Sequence, residues 1–202
     1  MVVSPPPRLR LPAEHRRRQL LDVALRVFAE RGFDGTSMSE LAEAAGVTKP
    51  VLYQHFRSKR ALYLELLDDV GRRLQDTIVQ ATTSADTAHR QVQAGFAAYF
   101  RFVSDNPNAF RLLLGGTSRR DREFSEAVER VEDAMAAAIA ALITTDLDDD
   151  HRRLLAHGLV GMAEGASRRY LAPGQGSSPE SLGLRLADLA WAGLRGVKRD
   201  DQ

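Results

Sequence analysis

The 202-residue chain is predicted to be all-α, with nine helices, and three features carry that expectation. Apolar residues recur every three to four positions, so each segment presents one apolar stripe. Gly, Pro and Asn-Pro clusters punctuate these segments at intervals suited to helices. No stretch alternates apolar and polar residues as a half-buried strand does, and no internal repeat is present.

The elements follow in order. Residues 1–12, with Pro5, Pro6, Pro7 and Pro12, cannot sustain a helix and read as a flexible basic arm carrying Arg8 and Arg10. From Ala13, a first helix has Leu20, Ala24, Val27 and Phe28 on one stripe and Arg16, Arg17, Asp22, Arg26 and Glu30 opposite, and Gly32 ends it. Ser37 and Glu40 form a capping-box signature that opens a short second helix through Ala45, stopped by Gly46. Thr48 caps a third, with Pro50 tolerated in its first turn, running to about Phe56. Ser58 caps a long fourth helix, in which Leu62, Leu66, Val70 and Leu74 repeat every four residues, to about Ala81. Five more are expected over residues 89–104, 107–114, 119–143, 149–171 and 179–197. The breakers between them are Asn106-Pro107, Gly115-Gly116, the Asp-rich turn at 146–150, and Pro173-Gly174 with Gly176.

Composition narrows the function. The chain has no cysteine, which excludes disulfides, thiolate nucleophiles and Cys-ligated metal. No apolar run reaches the roughly 18 residues of a membrane span, and the N-terminus lacks a signal-peptide core, so a cytoplasmic location is expected. Residues 1–60 carry 11 basic and 6 acidic side chains, and the rest 17 basic and 21 acidic. A basic head on an acidic body suits contact with a polyanion through one end; solvated helix faces give the same count.

Helices two and three, joined by a glycine turn, make a helix-turn-helix unit whose small core needs helix one and the start of helix four. Leu41, Ala42, Ala45, Val47, Leu52 and Phe56 would close that core with Val27 and Phe28. The outer face of helix three is then Lys49, Pro50, Val51, Tyr53, Gln54 and His55, a set of donors and small apolar contacts suited to phosphates and base edges.

Residues 36–62, TSMSELAEAAGVTKPVLYQHFRSKRAL, resemble the signature of the TetR/AcrR family of bacterial transcription regulators. The resemblance implies a nine-helix TetR-like fold: residues 13–60 a helix-turn-helix DNA-binding domain and 61–202 a ligand-binding and dimerisation domain, the boundary lying inside helix four. It implies that Tyr53, Lys59 and Ser37 meet backbone phosphates, and that Lys49, Pro50, Val51 and Gln54 face the major groove, Lys49 reaching guanine acceptors and Val51 a thymine methyl. Thr48 is mainly a cap with a phosphate bond in reach. His55 either donates to a phosphate or covers the turn. Arg8 and Arg10 either enter an adjacent minor groove or do nothing.

The same resemblance implies pairing as a homodimer through helices eight and nine on double-stranded operator DNA. Gly158, Gly161 and Gly165 allow close approach, and Leu186, Leu189, Trp191 and Leu194 would be anchors; filling the intramolecular core is the alternative for these stripes. It further implies an effector pocket for a hydrophobic small molecule. Phe96, Tyr99, Phe100 and Val103 on helix five, Phe110 and Leu114 on helix six, Phe124, Val128, Val131 and Met135 on helix seven, and His157 and Met162 on helix eight would line it, unless they are plain core. Tyr99, His157, Glu164 and Tyr170 are candidates to orient a head group.

VTKPVLYQHFRSKRALYLELL, NPNAFRLLL, HGLVGMAEGASRRYL and AWAGL are similar to actinobacterial members that respond to long-chain acyl-CoA and control fatty-acid synthesis. A long-chain acyl-CoA or fatty acid is the expected effector; the alternative is a repressor of an efflux or catabolic operon that senses lipophilic drugs or natural products. Ligand would shift helix four through Leu62, Leu66 and Val70 and so re-space the two reading heads. No enzyme is expected, since HExxH, GxSxG, Walker and GxGxxG patterns are absent. Asp146, Asp148, Asp149 and Asp150 precede a helix and read as caps rather than metal ligands. No metal or cofactor is expected.

Overall fold

A computed structural model describes residues 13–115, 120–143, 147–172 and 178–197. Among the described residues there are nine α-helices and no strand: α1 Ala13–Arg31, α2 Met38–Ala44, α3 Lys49–His55, α4 Lys59–Thr83, α5 Ala88–Asp105, α6 Pro107–Leu114, α7 Arg122–Ala140, α8 Asp149–Tyr170 and α9 Pro179–Gly196. The proline arm with Arg8 and Arg10, the turn at Pro173, Gly174 and Gly176, and Asp146 lie outside the described residues. The chain divides into two compact units, one through Leu66 and one from Leu67, and α4 runs without a break from the first into the second.

In the first unit Leu20, Ala24 and Phe28 of α1 are buried together with Leu41, Ala42, Leu52, Phe56 and Leu62. Ala45 and Val47, expected in this core, are only half-buried because they sit in the turn. The unforeseen member is Tyr63 of α4, whose ring meets Phe28 edge-on at 5.0 Å and Phe33 at 5.2 Å. Gly32 and Gly46 adopt φ of 74° and 63°, the left-handed conformation that ends α1 and α2 and that other residues take only under strain. At Gly46 the termination is a Schellman arrangement: Val47 N donates to Ala42 O and Gly46 N to Glu43 O, both at 3.0 Å.

In the second unit α5 lies along α9 and α7 along α8. The α5/α9 approach depends on small residues, since Gly183, Ala187 and Ala190 are buried and a Cβ on Gly183 would stand 3.2 Å from Ala97 Cα. Side-chain caps begin the helices: Thr87 accepts from Arg90 N, Asp121 from Glu123 N and Phe124 N, and Ser178 from Ser181 N. Asp121 caps α7, which starts at Arg122 and closes at Ala140, three residues short of the expected end; Arg119, the expected start, lies outside the described residues. Asp148 accepts from His151 N and caps α8, with Asp149 and Asp150 in its first turn. No helix among the described residues is long and apolar enough to cross a membrane.

Candidate nucleic-acid interface and ligand cavity

Helix α3 turns Leu52 and Phe56 into the core, and that rotation leaves Lys49, Pro50, Tyr53 and Gln54 exposed on one face, with Val51 and His55 half-buried at its edge. Tyr53 is 45% exposed, a large aromatic with no intramolecular reason to face water. Thr48 has the extended backbone of an N-cap, and its carbonyl accepts from Leu52 N at 3.1 Å, but its hydroxyl makes no capping bond. This corrects the capping expectation. The reason is local: Pro50 fills one of the two positions whose amide a cap side chain normally engages, and proline has none to give.

Ser37 opens α2 with a complete capping box: Glu40 N donates to Ser37 Oγ at 3.2 Å, and Ser37 N donates to Glu40 Oε2 at 2.8 Å. Hydrogen bonds from the Ser37 hydroxyl and amide, with Arg31 at 3.0 Å, hold the exposed Glu40 carboxyl below its ordinary value of 4.5. A lowered carboxylate stabilises the fold above the unfolded-state value and loses that contribution as pH falls through the folded one. The difference in melting temperature between wild type and Glu40→Ala is therefore expected to be constant above about pH 5 and to shrink below it; a pH-independent difference would dismiss the charged box.

Two basic residues tie this unit together. Lys59 Nζ donates to Phe33 O and Thr36 O, each at 2.7 Å, and stands 4.3 Å over the Phe33 ring. The buried Thr36 donates to Gly32 O at 2.7 Å, so the turn between α1 and α2 is held from both sides. Arg17 of α1 pairs with both carboxylate oxygens of Glu65 on α4, donates to His55 O at 2.7 Å, and lies 4.6 Å over the Phe56 ring. One guanidinium thus links α1, the last carbonyl of α3 and α4.

The second unit contains a cavity of about 340 Å³, near the lower end of ligand-site sizes. It is lined by Ile78 and Thr82 of α4, by Ala88, Gln91, Val92, Gly95, Phe96 and Tyr99 along α5, and by Met135 and Ile139 of α7. Leu142 and Ile143, then Leu159, Val160 and Ala163 of α8, and Trp191, Leu194, Arg195 and Val197 complete the wall. The Tyr99 hydroxyl accepts from Ser167 Oγ at 3.2 Å, and burial pushes this phenol far above its ordinary range, so it is neutral.

Residues 20–66 match the profile of bacterial regulatory proteins of the tetR family, and residues 88–193 match the tetracyclin repressor-like C-terminal domain. The chain is 33% identical over 190 residues to the HTH-type transcriptional activator FasR of Mycolicibacterium smegmatis, covering 93% of this chain and 87% of that protein. The chain belongs to the TetR family. A TetR-like regulator from Rhodococcus sp. RHA1 superposes with a TM-score of 0.74 at 28% identity, over 93% of this chain and all of that one. FadR from Bacillus subtilis, solved in complex with stearoyl-CoA, shares the fold with a TM-score of 0.74 at 16% identity, over 90% of this chain and 99% of that one. These relatives are DNA-binding transcription regulators, as this TetR-family chain is, and not enzymes.

Against the expectations for a TetR-family pocket, Phe96, Tyr99 and Met135 line the cavity and the others do not. Phe100, Val103, Phe110 and Phe124 are core, with Phe100 at 0% exposure. Val131 sits against Gly71, where a Cβ would come within 2.5 Å of its methyl, and so spaces α7 from α4. Leu114, Val128 and Met162 are half-buried away from the cavity, while His157 is exposed, 3.7 Å from Asp133. Trp191 and Leu194, expected between subunits, line the cavity, with Trp191 stacking on His89 at 4.9 Å. Leu186 is half-buried, whereas Gly158, Gly161, Gly165 and Leu189 are exposed. The periodic stripe of α5 had identified the right helix. It did not show which half faces packed side chains and which faces the hollow, because the partners come from α4, α8 and α9.

Proposed function

We propose that this regulator binds operator DNA as a homodimer and releases or re-engages it when a long-chain acyl-CoA or fatty acid enters the cavity of the second unit. Residues 13–60 act as the reading head and 61–202 as the sensing and pairing body, in the cytoplasm. The observation that carries the reading is the cavity itself, an apolar hollow walled by five helices, one of which, α4, continues into the reading head. Its α4 contacts are Ile78 and Thr82, so ligand acts on the far end of that helix and not through Leu62, Leu66 and Val70. FadR of Bacillus subtilis, with stearoyl-CoA bound, supports an acyl ligand for this fold.

On the DNA side, Lys49, Pro50, Val51 and Gln54 read base edges while Ser37, Thr48, Tyr53 and His55 meet phosphates. Lys59 already donates to two carbonyls and so keeps the α1–α2 turn in register, with one ammonium proton remaining for a DNA phosphate. Pairing uses the open face of α8, where Leu154 is 70% exposed and a Cβ on Gly158, Gly161 or Gly165 would meet nothing within 4 Å, together with the exposed Leu184 and Leu189 of α9. Leu154, Gly158, Gly161 and Gly165 follow one stripe of the helix.

Duplexes selected from a random library give the test. Wild type is expected to bind one sequence as a dimer, with palmitoyl-CoA changing its affinity about 5- to 150-fold. Lys49→Ala is expected to lose about 1–3 kcal/mol, mostly on the selected sequence, and to flatten preference at one base pair. Equal losses on all duplexes, or affinity blind to palmitoyl-CoA, would reject the reading.

A further inference from the structure

The cavity is graded from end to end. Along α5, Ala88 is exposed, Gln91, Val92 and Gly95 are half-buried, and Phe96 and Tyr99 are buried, so the hollow deepens over roughly 16 Å of helix. Its closed end is apolar except for Tyr99, a neutral phenol already bonded to Ser167. Thr82 is likewise occupied, donating to Ile78 O at 2.9 Å. At the open end lies Arg195, exposed in the last turn of α9, with the Gln91 amide also on the wall. Among the described lining residues Arg195 is the one charged side chain, and no carboxylate lines the cavity to receive a cation.

Resting on the sensing role proposed above, we infer that the cavity takes a single-tail amphiphile with an anionic head, the tail running inward to Phe96, Tyr99 and Ala163 and the head held at the mouth by Arg195 with help from Gln91. The reverse orientation would strand an anion at the buried Tyr99 end, where no described lining residue is cationic, at a cost far above the gain from any hydrogen bond. A cationic amphiphile gains the same tail burial but brings its charge up to a guanidinium. A neutral one gains the tail alone. The planar fork of Arg195 suits either a terminal carboxylate or the phosphate oxygens of a longer thioester head.

The single tryptophan, Trp191, is part of the cavity wall, so its fluorescence reports occupancy without a label. The full chain is titrated with dodecanoate, dodecanoyl-CoA, dodecanol and dodecyltrimethylammonium. At least one of the two anions is expected to bind about tenfold or more tightly than dodecanol, with dodecyltrimethylammonium weakest; the tighter anion identifies the head. Arg195→Gln is expected to weaken that anion about tenfold and leave dodecanol within twofold, and Arg195→Glu to favour dodecyltrimethylammonium. Dodecanol binding as well as both anions, or Arg195→Gln weakening all probes alike, overturns the head-group assignment while leaving a lipid sensor in place. Failure of every probe to perturb Trp191 removes the sensing role and this inference together.

Discussion

Phe110→Ala is expected to cost about 3–5 kcal/mol of stability and to lower the melting temperature of the second unit by roughly 10 °C or more, without changing head-group selectivity in the cavity. Phe110 is buried at the junction of α5 and α6, its ring edge-on to Tyr99 at 5.5 Å and to Phe102 at 6.1 Å. It does not line the cavity, so truncation opens a second void in packed core. Calorimetry alongside Trp191 titration checks this. A small stability loss with weaker binding of dodecanoate would instead place Phe110 in the ligand wall.

Gly95→Leu is expected to abolish the Trp191 response to amphiphiles and the palmitoyl-CoA effect on DNA, with a melting temperature equal to wild type or higher. Gly95 lines the cavity in the interior of α5, and a Cβ there would meet Thr82 Cγ2 at 3.4 Å, ordinary contact with another lining residue. The rest of the leucine side chain then occupies space otherwise filled by ligand. Replacing a mid-helix glycine also raises helix propensity by about 1 kcal/mol. Operator affinity without ligand should stay close to wild type. Destabilisation with ligand binding retained would show that the hollow lies elsewhere.

The reading head was legible because its determinants are local. Ser37 and Glu40 are three residues apart, Gly46 ends α2 through its own φ, and the spacing of Leu52 and Phe56 turns Lys49, Tyr53 and Gln54 outward. The roles of Arg17 and Lys59 were not legible. Arg17 reads as one of several solvated arginines on α1 until α3 and α4 bring His55 O, Phe56 and Glu65 to it. Lys59 reads as a phosphate ligand; that its ammonium also holds two carbonyls of the α1–α2 turn is visible only in the folded chain.

By itself the sequence determined the all-α class, the helix order, the caps at Ser37 and Asp148 and the outward face of α3, since helical period, capping and turn chemistry act over at most a few residues. Only the tertiary structure decided that Trp191 and Leu194 wall a cavity while Phe100, Phe110 and Phe124 fill core. An apolar stripe states that a residue leaves water; whether it meets a side chain or a hollow depends on helices far away in the chain, here α9 held against α5 at Gly183.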